Sequence, residues 1–228
     1  MTKSQLFRIG GLALLVGAVA FIVHIVLRSV ITATAGGDTA AFAKDDLWVP
    51  INLLGLMGAA LVLLGLPAMY ARMASATGLP GFVGVVLIAL AWMFFGVFLS
   101  LFSVLVAPWL ADQAPSLVTA SAPLPAGFVI AFIAGLVAEC GGSVLLAIPF
   151  IRGRVQPRWV GYVLLASALL AVIGDVIAAN GPATNVAINL LSNLGLILLL
   201  VVLGYLGAQM WSEHAPVGSA TEAPTPSA

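Results

Sequence analysis

Long apolar stretches separated by short polar segments constrain the fold of this chain more than any other feature. An α-helix rises 1.5 Å per residue, so about 20 residues cross the roughly 30 Å hydrocarbon core of a bilayer. Each stretch reaches that length. We therefore expect a bundle of six transmembrane helices, at about residues 6–31, 48–70, 80–106, 124–151, 158–179 and 185–210.

The composition excludes a soluble globular fold. Only 7% of the residues are charged and 62% are hydrophobic, whereas ordinary soluble domains carry roughly 25% charged residues. We expect an all-α, polytopic integral membrane protein whose transmembrane domain covers residues 1–211. The Ala-, Pro- and Ser-rich residues 212–228 cannot bury enough apolar surface to fold, and we expect them to form a disordered cytoplasmic tail.

The placement of Lys and Arg predicts the orientation, because cytoplasmic segments carry an excess of these residues. With a cytoplasmic N-terminus, Arg28 and Lys44 fall outside and the other six fall inside. Both termini are therefore expected in the cytoplasm. The residues assigned to the inside are Lys3, Arg8, Arg72, Arg152, Arg154 and Arg158.

The first stretch resembles a signal peptide in having Lys3 and Arg8 before an apolar run. It exceeds the usual core of about 7 to 15 residues, and His24 and Arg28 interrupt it. We interpret it as a retained helix. The Ala-, Gly-, Val- and Leu-rich usage is typical of a bacterial plasma (inner) membrane protein from a GC-rich genome.

Several classes of function lack a signature. The net charge is zero and no long basic run exists, which argues against nucleic-acid binding. A single cysteine, Cys140, allows no intrachain disulfide and no multi-cysteine metal site. Phosphate-binding glycine loops and the common hydrolase motifs are missing from the sequence. We therefore predict no cofactor and no metal, and we assign no catalytic residue.

The last apolar stretch carries a stripe of polar side chains. Asn185, Asn189, Ser192 and Asn193 stand at positions i, i+4, i+7 and i+8, which share one face of a helix. An unsatisfied polar group in hydrocarbon costs several kcal/mol, so this face must look into protein or into a wet cavity. Amides that lock neighbouring helices together are the alternative interpretation.

Polar side chains elsewhere fall at matching depths. Under the predicted topology they all lie in the outer half of the membrane or at its centre, and ionisable groups at such depths are candidate functional sites. We predict a polar pocket that opens to the outside and closes toward the cytoplasm. Its candidate ligand-binding residues are His24, Arg28, Asn52, Glu139, Asp175, Asn185, Asn189 and Asn193.

Three of these residues allow alternatives. An apolar environment favours the neutral form of Glu139, which suits proton-linked binding or transport, but the side chain can equally hydrogen-bond a neighbouring helix. Arg28 can pair with Asp175 near the outer interface, or its side chain can reach the lipid head groups. His24 is either a proton carrier or ligand, or a hydrogen-bonded core residue.

Three functions remain open. The first is binding or transport of a small molecule, lipid or ion, with proton coupling through Glu139 as its most specific form. The second is a non-catalytic subunit or assembly factor of a larger membrane complex, with a membrane protein partner or a homo-oligomer. The third is an intramembrane enzyme acting on a lipid, which requires His24, Glu139 and Asp175 to lie together as acid and base. The absence of a recognisable catalytic pattern argues against an enzyme.

Overall fold

The computed structural model describes residues 3–34, 39–117, 125–153, 155, 157–180 and 185–212. Within these ranges the chain is helical and contains no strand, so the all-α prediction is confirmed. Two π-helical segments, Met93–Phe98 and Phe102–Val106, and a 3-10 turn, Pro115–Leu117, accompany the α-helices. The α-helices are α1 Lys3–Thr34, α2 Thr39–Ala43, α3 Trp48–Trp92, α4 Leu99–Leu101, α5 Ala107–Gln113, α6 Ala126–Ile151, α7 Trp159–Asn180, α8 Val186–Ser192 and α9 Leu194–Ser212.

The distribution of side chains is that of a protein embedded in a lipid bilayer. The helices expose large apolar side chains such as Ile9, Val19 and Val137, whereas His24 and Glu139 are buried between helices. Among the described residues, five helical segments are long and apolar enough to cross a membrane. They are Ser4–Thr34, Trp48–Gln113, Ala126–Ile151, Trp159–Ala178 and Leu194–Ser212.

The longest of these segments reverses direction at Gly78, whose φ of 57° and ψ of −151° are not helical. A straight helix of 66 residues would extend about 100 Å. Instead, the Trp48 indole N–H donates to the carbonyl oxygen of Ser103. Residues 48–77 therefore form a first arm and residues 79–113 a return arm that lies beside it. The spans predicted at 48–70 and 80–106 fall on these two arms.

The long helices form a closed ring. α1 packs against α3 and α9, α3 packs against α6, α6 against α7, and α7 against α9. Glycines let the backbones approach closely, as is common in membrane bundles. A Cβ at Gly11 would lie 2.7 Å from the Gly207 carbonyl oxygen, and a Cβ at Gly84 would lie 3.0 Å from that of Gly142. These two contacts join α1 to α9 and the return arm to α6.

The two ends of the ring differ in polarity. The arginine end contains the start of α1, the Gly78 bend, the α6–α7 connection and the end of α9. Its described core is largely apolar, with residues such as Leu14, Leu146 and Leu203 fully buried. The cavity end contains the end of α1, the start of α3 and the end of α7. Trp159 and Trp211 are exposed at the arginine end and Trp109 at the cavity end, as expected for residues at the two membrane interfaces.

The last predicted span is not one continuous helix. α8 ends at Ser192, Asn193 adopts φ −97° and ψ 4°, and α9 begins at Leu194. The side chains of Ser192 and Asn193 donate to the Asn189 carbonyl oxygen at 2.9 and 2.7 Å, and such local bonds compete with helical ones. The expectation of a single helix over 185–210 is therefore wrong.

Asn185 also differs from the prediction, because it lies before the first turn of α8. Its Oδ1 accepts from the backbone N–H groups of Ala187 and Ile188 at 2.9 and 3.3 Å, which makes it the N-terminal cap. The side chain is exposed. It therefore does not continue the polar face formed by Asn189 and Asn193.

Some predictions fall outside the described residues. These are the start of the fourth span at Leu124, the inner residue Arg154, and the tail from residue 213 onward.

Candidate functional site

A cavity of about 360 Å³ occupies the cavity end of the ring. Side chains from α1, the start of α3, the return arm, α6, α7, α8 and the start of α9 line it, and we call it the ring cavity. Pockets for small ligands usually measure about 300 to 1,000 Å³. Six of the eight predicted ligand-binding residues line it, namely His24, Arg28, Glu139, Asp175, Asn189 and Asn193.

Two carboxyl groups face this cavity. Glu139 on α6 is only 7% exposed. Its carboxyl group forms no hydrogen bond with any residue that the structure describes. Asp175 on α7 is half-buried and lines the same cavity. The alternative in which Glu139 hydrogen-bonds a neighbouring helix is therefore not observed. A polar group in the interior usually has a hydrogen-bond partner, and this carboxyl group lines the cavity with none among the described residues.

His24 is fixed between two helices. Its Nδ1 lies 2.8 Å from the carbonyl oxygen of Ile51 in α3. A carbonyl oxygen only accepts, so Nδ1 carries the proton, and Nε2 is an acceptor in the neutral ring. The ring centroid lies 5.2 Å from that of Phe21. Gly55 provides the space, because a Cβ there would come within 2.8 Å of the imidazole.

Arg28 lies one turn beyond His24 and is exposed at the mouth of the ring cavity. The central carbon of its guanidinium group is 5.8 Å from the centroid of the Trp48 ring, within range of a cation–π contact. Arg28 and Asp175 are both described, and no ion pair joins them. The predicted pair is therefore not formed, and the aromatic ring of Trp48 supports the guanidinium group instead.

The break between α8 and α9 lies at the wall of the ring cavity. Asn189, Ser192 and Asn193 all line it, and the Nδ2 of Asn193 and the hydroxyl of Ser192 both donate to the Asn189 carbonyl oxygen. These donors are thus occupied within the protein. The Oδ1 of Asn193 receives no hydrogen bond from a described residue and is available as an acceptor.

Asn52 lies outside the lining, as does Asn185. The Asn52 side chain is fully buried, and its Nδ2 donates to the Trp48 carbonyl oxygen at 2.8 Å. Its Oδ1 has no partner within the part of the chain that the structure describes. The structure places Asn52 beside Trp48, one layer behind the cavity wall.

Sequence reasoning missed the aromatic part of the wall. Phe95 and Phe132 line the ring cavity, together with Ser100 and Trp48. Phe95 belongs to a π-helical segment, a geometry that recurs at functional sites and has no simple sequence pattern. The series Phe94, Phe98 and Phe102 is interpreted from the sequence as lipid-facing or core filling, and Phe98 is indeed 46% exposed. Of these neighbouring phenylalanines, Phe95 lines the ring cavity.

The ring cavity combines acceptors, carboxyl groups and aromatic walls. It suits a ligand that has a polar or charged group and an apolar part, with the apolar part packed against Phe95 and Phe132. His24, Glu139 and Asp175 line the same cavity, and a lipid-modifying enzyme stays a prediction.

Comparison of the chain with protein-family models, curated proteins and solved structures finds no match. The proposed function therefore rests on the geometry of the ring cavity.

Proposed function

We propose that this multi-pass membrane protein binds or transports a small molecule, lipid or ion in the ring cavity. The observation that carries the proposal is Glu139, a buried carboxyl group on the wall of a cavity of about 360 Å³ that has no hydrogen-bond partner among the described residues. A polar cluster that served only to hold helices together would satisfy its own hydrogen bonds. A bound ligand supplies the partner that the protein does not.

We further propose that the chain crosses the membrane six times, with each arm of α3 forming one span. Arg8, Arg72, Arg152 and Arg158 belong to the arginine end, whereas Arg28 and Lys44 belong to the cavity end. This asymmetry favours a cytoplasmic arginine end and cytoplasmic termini, in a bacterial plasma membrane. The ring cavity then opens to the exterior, and the apolar core beneath it closes the path toward the cytoplasm.

Native mass spectrometry of the purified protein tests ligand binding directly. We expect the protein to retain a small molecule or lipid, and Leu136→Trp to abolish the retained mass because Leu136 lines the ring cavity. Val137→Trp is the matched control, since the neighbouring Val137 is 65% exposed on the outer surface of the same helix. Equal retention by both variants would place the bound molecule on the lipid-facing surface and contradict the proposal.

A further inference from the structure

Several side-chain donors on the wall of the ring cavity are already used within the protein. The Nδ1 of His24 is used by the Ile51 carbonyl oxygen, and the side-chain donors of Ser192 and Asn193 are used by the Asn189 carbonyl oxygen. The acceptors that remain are Nε2 of His24, Oδ1 of Asn193 and the two carboxyl groups, and Arg28 and the hydroxyl groups of Ser29, Thr32 and Ser100 line the same cavity. These acceptors are complementary to a group that has only donors, and an ammonium group is such a group.

The charged groups in the ring cavity also favour a ligand with an ammonium group. Glu139 and Asp175 supply two carboxyl groups on adjacent helices, and neither forms an ion pair with a residue that the structure describes. Arg28 lies at the mouth, where Trp48 supports it. A cation that enters the cavity would relieve the repulsion between the two carboxyl groups, and a charge-assisted hydrogen bond is roughly twice as strong as a neutral one.

The aromatic walls favour an organic cation over a hydrated metal ion. Phe21, Phe95 and Phe132 line the ring cavity beside the carboxyl groups. Aromatic faces attract ammonium groups, and they also bury the carbon skeleton to which such a group is attached. A metal ion would leave these faces unused.

We propose that the ligand of the ring cavity carries an ammonium group, which binds between Glu139 and Asp175, with its organic part against Phe95 and Phe132. This inference rests on the proposed function and names the chemical class of its ligand. The acceptors Nε2 of His24 and Oδ1 of Asn193 complete the site.

Three probes that share one aromatic ring test the charge requirement. Benzylamine, benzyl alcohol and benzoate are titrated into the purified full-length protein in lipid nanodiscs near neutral pH, where benzylamine is an ammonium ion, and their affinities are measured by calorimetry. We expect benzylamine to bind at least about tenfold more tightly than the other two, since a hydrogen bond to a charged group is the stronger contact.

Glu139→Gln and Asp175→Asn test the position of the ammonium group. Each keeps the size of the side chain and removes its charge, so each is expected to weaken benzylamine binding by roughly tenfold to a hundredfold and to weaken benzyl alcohol binding less. Asp112→Asn is the control, because the Asp112 side chain is 65% exposed and pairs with Lys44 outside the ring cavity. Helical circular dichroism monitors folding, and the half-buried Asp175 provides the test if Glu139→Gln does not fold.

The outcomes separate this inference from the proposed function. Tighter binding of benzyl alcohol or benzoate, or benzylamine binding that neither variant changes, would overturn the ammonium site. A molecule that native mass spectrometry detects in the wild type and not in Leu136→Trp would still support a ligand cavity. If none of the three probes binds and no retained molecule depends on Leu136, both proposals are wrong.

Discussion

At the scale of single residues, the His24 ring is held by a hydrogen bond and by the absence of a neighbouring side chain. Its Nδ1 bonds the Ile51 carbonyl oxygen in α3, and Gly55, one turn further along, leaves room for the imidazole. The position of the His24 ring in the cavity wall therefore depends on Gly55, which does not itself line the ring cavity.

Gly55→Ala is expected to destabilise the protein by about 1 to 3 kcal/mol, because the new methyl group displaces the imidazole and breaks its hydrogen bond. Unfolding midpoints in detergent measure the effect. Gly141→Ala is the matched control, since its Cβ would meet only the Leu87 methyl carbon at 3.6 Å, an ordinary contact. An unchanged midpoint in Gly55→Ala would mean that the ring has space to move.

Depth and helical spacing predict the four ionisable residues that line the ring cavity, but not most of its wall. His24, Arg28, Glu139 and Asp175 were recognisable because charged or polar groups in apolar stretches must face protein or water. The residues that position His24 were not recognisable. Ile51 acts through its backbone carbonyl group, and Gly55 acts by leaving room for the ring. The sequence prediction places Asn185 on the polar face, because sequence alone does not distinguish an asparagine that caps a helix from one within it.

At the scale of helices, the Gly78 bend brings the two arms of α3 together. Its φ of 57° with ψ of −151° is a backbone conformation that residues with a side chain rarely adopt. The nearest atom to an added Cβ is 4.0 Å away, so any cost of substitution there comes from the backbone and not from crowding.

Gly78→Ala is therefore expected to lower the free energy of unfolding by about 1 to 3 kcal/mol. Chemical denaturation in mixed micelles provides the measurement. Ser75→Ala serves as the control, because Ser75 is exposed and helical in the same hairpin. Wild-type stability of Gly78→Ala would show that the chain reverses through a different conformation.

Sequence patterns predicted the reversal between the arms but not the irregular helices. A short Ser-, Thr- and Gly-containing link after Arg72 marked the turn. The π-helical segments and the break at Asn193 arise from local hydrogen bonding within long apolar stretches, where composition still favours a regular helix. These irregular segments contribute Phe95 and Asn193 to the cavity wall.

At the scale of the whole molecule, the ring has one apolar end and one polar end. The single cysteine, Cys140, makes the proposed orientation testable. In a Cys140→Ser background, cysteines replace Ser192 in the ring cavity, Val176 on the lipid-facing surface, or Arg152 at the arginine end, and intact cells are treated with a charged, membrane-impermeant thiol reagent.

We expect Ser192→Cys to react from outside and Arg152→Cys to react only after the cells are lysed. Val176→Cys should react poorly in both conditions, because Val176 is 60% exposed toward lipid and a thiol in hydrocarbon is neither ionised nor in contact with the reagent. The reverse pattern for positions 192 and 152 would invert the topology. Association with a partner protein or with a second copy stays a prediction.

The closure of the ring between α1 and α9 has a consequence for biosynthesis. During synthesis, α1 must wait in the bilayer until α9 arrives, since Gly11 meets Gly207 across that seam. During this interval Glu139 is already in the membrane, while the part of the cavity wall that contains Asn193 has not yet been synthesised. Truncation before α9 would therefore leave an open bundle with a carboxyl group facing lipid, a species that membrane quality control is suited to recognise.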